Sequence, residues 1–218
     1  PHIVSRPKET MSVPSHIDWD SFIGPAPMRP YNSCYTPFKW RGWWDYGTGA
    51  LGDMACHTTN LAFMACELTA PKTVESVNTG PINSETYPSW ATIEMSFPKT
   101  NKRGPVKFYW YEGKIGNDGK ENKGVKNLPP IELFHGETPK NSGLLLVGSQ
   151  GILYSPNDYG ADWMVHKSGK WHKRSDIELP EKFLPRNGRG DSGMKEELVK
   201  AIRQNNPKIA MSNFDYAG

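Results

Sequence analysis

Cysteine is scarce. The three residues, Cys34, Cys56 and Cys66, include no Cys-x-x-Cys pair, which argues against a disulfide framework and against structural zinc. Cys56 and Cys66 fall in a helical stretch and read as small core residues. Charge of one sign is also lacking: 26 Lys and Arg face 23 Asp and Glu, a formal net charge of +3. The lysines are scattered, so no nucleic-acid footprint is present, and His172-Lys173-Arg174 reads as a solvated turn. No apolar run reaches membrane-spanning length and no signal peptide is visible. The chain starts at Pro1 in mid-loop style, however, which leaves a lost leader open and the compartment unknown. No internal repeat or low-complexity tract occurs.

What is abundant is proline and glycine, 19 and 21 residues, which argues for many turns and against an all-helical fold. The hydrophobic share of 36% with 11% aromatic supplies a packed core for one domain. Residues 1–15 are Pro-punctuated and read as an arm or linker, with a single domain over 16–218. Ile17 to Gly24 predicts a short helical turn, and Pro25 to Pro37 an extended surface chain. After Pro71, Thr73–Asn78, Ala91–Phe97 and Val106–Tyr111 carry strand patterns. Gly113 to Pro130 reads as a mobile loop. Gly143–Val147 with Gly151–Tyr154, and Ala161–His166 with Lys170–Lys173, predict hairpins. Asp191–Asn205 returns to helix, with Leu198, Val199 and Ile202 on its buried side. The order implies an α+β fold: a mainly antiparallel open sheet with helices packed on one face. Loops or a second subunit must cover the other face, and a subunit is the expectation.

The most informative stretch runs from Tyr31 to Leu68. Leu51, Met54, Leu61, Ala65 and Leu68 recur at helical spacing, Thr48 stands at the cap position, and Pro71 bars continuation. Asp53 and His57 are four apart and share a helix face. A carboxylate and an imidazole so placed can build a proton-transfer site, in which the acid fixes the ring's tautomer and orientation. A local surface hydrogen bond is the plainer alternative. Three glycines precede the pair, and Tyr31, Trp40, Trp43, Trp44 and Tyr46 crowd the approach, enough to wall a pocket or simply to fill a core.

Three motifs point elsewhere and fall short. Gly47-x-Gly49-x-x-Gly52 matches the dinucleotide fingerprint literally, but Arg41-Gly42-Trp43-Trp44-Asp45-Tyr46 is not the Val/Ile-rich strand it requires. Asp53, His57 and Asp45 make only two firm metal ligands where a catalytic metal wants three. His16, His135, His166 and His172 lack partner spacing. Arg189-Gly190-Asp191 reads as a helix start.

Ile17-Asp18-Trp19-Asp20, the run Gly24 to Asn32, Trp40-Arg41-Gly42-Trp43-Trp44-Asp45-Tyr46-Gly47-Thr48-Gly49, Gly52 to His57 and Ser212 to Tyr216 together resemble one family. It is the C-terminal domain of the glucose–fructose oxidoreductase, inositol dehydrogenase and rhizopine-catabolism (Gfo/Idh/MocA) oxidoreductases, in the branch common in Bacteroidetes and Planctomycetes. The resemblance covers about Ile17 to Gly218. It implies half of a two-domain enzyme that uses NAD or NADP, with the cofactor bound mainly by an N-terminal Rossmann domain absent from this chain. It further implies binding of a small sugar or polyol and a homo-oligomer formed through the sheet face. The family's Asp-x-x-x-His falls on Asp53 and His57, the His being its usual proton-transfer residue. On this reading Tyr31, Trp40 and Trp44 would stack on a sugar ring, and Arg29, Asn32, Arg41 and Asp45 would bind its hydroxyls. The sequence departs from the family in lacking a Glu-Lys-Pro motif and in having Thr58-Thr59-Asn60 where many relatives place a further Asp. It therefore reads as an excised domain, inactive in isolation. An NAD-dependent glycosidase of the same family and a non-catalytic carbohydrate-binding module are the rival functions.

Overall fold

The computed structural model describes residues 5–116, 124–182, 184 and 190–217. They fall into two compact units, one up to Arg174 and one from Ser175.

The first unit begins around aromatic residues. Helix α1 (Trp19–Ile23) starts where Asp18 Oδ1 accepts from the Ser21 amide at 3.1 Å and ends at Gly24, whose φ of 55° suits glycine. Trp19 and Ile23 are buried with Tyr31, Tyr35 and Trp43. Two indoles are tied to the backbone, Trp19 Nε1 to Arg29 O at 2.7 Å and Trp43 Nε1 to Cys34 O at 3.3 Å. The stretch from Pro25 to Pro37 is therefore not extended surface chain throughout. It carries Tyr31, Asn32 and Tyr35 into the interior, because burying large aromatic faces outweighs the local bias of its prolines.

The helix expected up to Leu68 is present but broken. Helix α2 (Gly49–Thr58) and helix α3 (Asn60–Ala65) meet at Thr59. The Thr59 hydroxyl donates back to Ala55 O at 2.7 Å, and two adjacent β-branched residues crowd the turn. The stop comes before Pro71. Glu67 takes a left-handed conformation (φ 47°), and the Leu68 amide closes onto Phe63 O at 2.9 Å, a helix-ending bond pattern. Cys66 packs against the adjoining core, whereas Cys56 is exposed rather than buried.

The strands form two antiparallel sheets rather than one. β1 (Thr73–Thr79), β2 (Trp90–Phe97), β3 (Val106–Ile115) and β4 (Val125–Lys126) make the first, in that order. β5 (Leu144–Gly148), β6 (Gly151–Ser155), β7 (Met164–Lys167) and β8 (Lys170–Lys173) make the second. The break arises because the chain between β4 and β5 turns through a 3-10 segment, Ile131–Phe134, and a left-handed His135. Residues 117–123 of the expected mobile loop lie outside the described residues, but its flanks are ordered into β3 and β4. Asn127, just beyond, donates to Ala91 O at 2.8 Å and Glu112 O at 3.2 Å, tying the end of the sheet. The β7–β8 turn places both Ser168 (φ 52°) and Gly169 (φ 79°) in left-handed conformation, as a tight hairpin requires.

The two-residue period sorts the first sheet. Ile93, Met95 and Phe97 on β2 and Val106, Phe108 and Trp110 on β3 face a core completed by Ala62, Phe63 and Leu68, and Leu144 and Leu146 of β5 join the same cluster. Phe63 meets Phe97 and Phe108 edge-on. The opposite face is polar and aromatic, with Lys107 paired to Glu94 at 2.8 Å beside Tyr109 and Tyr111.

One carboxyl lies on the core face. Glu112 accepts from Trp110 Nε1 at 2.6 Å, and burial pushes its pKa above the ordinary value although that hydrogen bond pulls the other way. An acid whose folded pKa exceeds its unfolded one destabilises the fold when ionised. The lost stability returns as pH falls through the raised pKa towards 4.5. Glu112→Gln keeps an acceptor for the indole. It is expected to raise stability at neutral pH and to abolish that acid-side gain, which urea titrations over this pH range would measure. An unchanged gain in the variant would contradict the assignment.

The second unit holds helix α4 (Gly190–Arg203), a 3-10 turn at Pro207–Ile209 and helix α5 (Phe214–Ala217). Arg189 lies outside the described residues, and Asp191 sits in the first turn of α4. Leu198, Val199 and Ile202, expected on the buried side, are exposed; Gly193 and Ala201 are the buried positions of α4. Among the described residues of the unit, α4 packs mainly against the short Pro207–Ile209 turn and the Met211 amide that Glu197 accepts from at 3.2 Å, too little surface to cover a whole apolar stripe.

Candidate functional site

Helix α2 presents Asp53, Cys56 and His57 outward, and the segment before it shapes its N-terminal end. A Cβ at Gly47 would fall 2.5 Å from the Arg41 carbonyl oxygen, and one at Gly49 would fall 2.8 Å from the Tyr87 ring. Gly52 faces the Thr48 side chain at similarly close range. The three glycines are thus consumed by packing. A 3-10 turn, Lys39–Gly42, and an isolated bridge from Trp43 to Thr86 precede them instead of a strand. The spacing forms no phosphate cradle, and these residues do not fit a nicotinamide dinucleotide.

The expected hydrogen bond between Asp53 and His57 is absent among the described residues. Both do lie on the outward side of α2, but Arg41 takes the carboxylate: its Nε donates to Asp53 Oδ1 at 2.9 Å. A guanidinium, which is always charged and offers its N–H donors in a planar fork, is a strong partner for a carboxylate. Arg41 is further fixed by Phe38 O at 3.2 Å, and its cationic plane lies 4.5 Å over the Phe38 ring and 4.6 Å over Trp40. The His57 ring instead makes a T-shaped contact with Tyr159, with centroids 5.5 Å apart.

The aromatic residues divide between wall and core. Trp44 is 48% exposed and lies on Tyr87, with ring centroids 3.8 Å apart. Its position is set by backbone bonds from Trp44 N to Glu85 O and from Tyr87 N to Gly42 O, both 3.0 Å. Trp40 lines an open cleft with Phe22, Pro25, Asp45 and Tyr46. Tyr31 is core, not wall. Asn32 is also buried, with its amide spent on Glu9 O at 3.1 Å and its carbonyl on the Cys34 amide at 3.0 Å, so it offers nothing to a ligand hydroxyl.

Arg29 and Asp45 likewise pair with each other. Arg29 lies between Asp45 and Glu85, 3.1 Å from the latter, and Arg6 grips Glu85 from outside at 2.7 Å. Burial alone lowers the Arg29 pKa, but the two carboxylates outweigh it and the net direction is upward. The hydrogen bond from Arg6, with help from Arg29, holds the Glu85 carboxyl below its usual range. Burial pushes the neighbouring Tyr46 phenol up to about 12, so it stays protonated. The network is joined to the site through the Trp44 amide, which donates to Glu85 O at 3.0 Å.

Among the described residues no three His, Cys, Asp or Glu side chains gather to hold a metal. His135 and His166 do meet, stacked at 3.7 Å with planes 6° apart. Rings that are parallel share no in-plane point at which one ion could bind both.

Two residues of the site were not found by sequence reasoning, Asp158 and Tyr159. Asp158 accepts from Thr58 Oγ1 at 3.0 Å and from the Ser142 hydroxyl, pinning the β6–β7 loop to the end of α2. Asn157-Asp158-Tyr159-Gly160 carries a turn signature, yet nothing local ties it to a helix 100 positions earlier.

Residues 5–102 match the family model for Gfo/Idh/MocA proteins described as "Oxidoreductase family, C-terminal alpha/beta domain". The match spans α1, α2, α3, β1 and β2 and includes Arg41, Asp53 and His57; Asp158 and Tyr159 lie beyond it. No curated protein matches the sequence.

Proposed function

We propose, taking as premise that this chain belongs to the Gfo/Idh/MocA oxidoreductases through their C-terminal α/β domain, that it is the substrate-binding half of an NAD(P)-dependent sugar or polyol dehydrogenase. The observation that carries the reading is the outward face of α2. There an exposed imidazole, His57, stands one turn beyond an Arg41–Asp53 pair, on a helix whose N-terminal end adjoins the exposed Trp44.

Oxidation of an alcohol releases a proton and a hydride. His57 takes the hydroxyl proton, as an imidazole does at ordinary pH. Asp53 acts through Arg41: it neutralises the guanidinium and fixes its plane, leaving further N–H donors for a substrate hydroxyl. Trp44, backed by Tyr87, offers an apolar face to the sugar ring. Gly47, Gly49 and Gly52 form no phosphate cradle, so on this reading the hydride acceptor is bound by another domain.

The test is formation of reduced nicotinamide by the intact oxidoreductase with a panel of free sugars and polyols, alongside aryl glycosides. Net reduction with a sugar or polyol is the expected result. Aryl glycoside cleavage without net reduction would replace the dehydrogenase reading. Trp44→Ala is expected to remove about 1 kcal/mol of uniform binding, raising KM roughly fivefold with kcat little changed. A fall in kcat with KM constant would place Trp44 elsewhere in the cycle.

A further inference from the structure

The most exposed member of the α2 site comes from outside the family-matched segment. Tyr159 is 72% exposed, yet it sits on a loop braced in three ways. Asn157 Oδ1 accepts from the Tyr159 amide at 3.0 Å and from the Ala161 amide at 3.2 Å, closing the loop on itself. Asp158 holds it to Thr58 at the end of α2 and to Ser142 before β5. Gly160 takes a left-handed conformation (φ 65°) beside α3, where an added Cβ would fall 3.3 Å from Leu61 Cδ2. A surface tyrosine ordinarily owes its place to its own packing. Here the backbone is locked from both sides, and the ring is left standing in solvent against the His57 imidazole at 68°. Its phenol oxygen makes no hydrogen bond among the described residues.

We infer that Tyr159 is a substrate-contacting residue of the His57 site, its ring fixing the plane of the imidazole through their T-shaped contact and its phenol bonding a sugar hydroxyl next to the one that His57 deprotonates. The inference rests on the sugar or polyol reading above. The geometry favours it for two reasons. Edge-to-face contact restricts rotation of the imidazole, which no carboxylate does here, since Asp53 is committed to Arg41. An unpartnered phenol beside a proton acceptor offers a hydroxyl group both a donor and an acceptor. Asp158 is then a positioning residue that acts through Tyr159.

NMR on the full 218-residue chain tests this, with D-glucose and myo-inositol as probes. Without probe, the wild type is expected to show an Overhauser contact between the Tyr159 and His57 rings. Asp158→Ala is expected to lose it while the buried Trp43 indole resonance stays in place, which separates release of the loop from unfolding. With probe, the Tyr159 and His57 resonances should move together. Tyr159→Phe should weaken binding about three- to tenfold, the worth of one neutral hydrogen bond, and Tyr159→Ala by at least as much. Absence of the ring contact in the wild type overturns the inference. So does a probe that moves His57 with equal affinity in all three forms, and that result leaves the dehydrogenase reading standing. Failure of both probes to move His57, with the ring contact present, overturns the sugar or polyol reading and this inference with it.

Discussion

On the dehydrogenase reading, His57→Ala in the intact enzyme is expected to lower kcat by roughly two to four orders of magnitude, the usual contribution of a positioned general base. KM is expected to change little, because an exposed imidazole that takes a proton only as the alcohol is oxidised contributes mainly in the transition state. Stability should also hold. His57 is on the surface, its ring contact is Tyr159, and exposed substitutions of this kind stay within about 0.5 kcal/mol. The expected signature is therefore a large kcat loss on an unchanged urea midpoint. Near-wild-type kcat would remove His57 from the chemistry. Asp53→Asn should behave differently, since the carboxylate holds Arg41 rather than the imidazole: its expected effect falls on KM through a loosened guanidinium.

Arg29→Ala is expected to produce the largest loss of stability, about 2 kcal/mol, by removing the partner that two carboxylates share in a half-buried ionic cluster. The Arg29 side chain is only 10% exposed and separates two carboxylates, Asp45 and Glu85, each 22% exposed. Without it the two acids face each other with only Arg6 left, bound to Glu85 from outside. Lysine should rescue poorly, because a single ammonium cannot present the planar fork that spans both acids. The pH dependence has a definite sign. The folded Glu85 carboxyl is depressed, chiefly by Arg6 and then by Arg29. Its contribution is present above the ordinary value of 4.5 and is lost as pH falls through the depressed one. The gap between wild type and Arg29→Ala should therefore narrow in acid. A gap below about 1 kcal/mol at neutral pH, measured by urea denaturation, would show that the cluster is not supporting the fold.

Much of the architecture was legible because strand alternation and turn chemistry are local signals. The pairs β5–β6 and β7–β8 follow from Gly148-Ser149-Gln150 and Ser168-Gly169, and β1, β2 and β3 from their two-residue period. What the residues did not reveal were outcomes of competition at a distance. Thr59 broke the long helix by bonding to Ala55. The turn through Ile131–Phe134 and His135 split the expected sheet in two. Aromatic content near α2 was correctly seen as abundant, but a tryptophan in a core and one on a wall carry the same letter: Trp43 went inside while Trp44, the next residue, stayed out. Spacing put Asp53 and His57 on one helix face, yet could not foresee that Arg41 would take the acid. Tyr159 was invisible because its partner is fixed only by the tertiary fold.

The most direct test is a crystal structure of the intact oxidoreductase with nicotinamide cofactor and a polyol bound. A ring nitrogen of His57 should lie within hydrogen-bond reach, about 2.6–3.2 Å, of the hydroxyl whose carbon faces the nicotinamide. A polyol bound with that hydroxyl against some other base, and His57 left in solvent, would contradict the account.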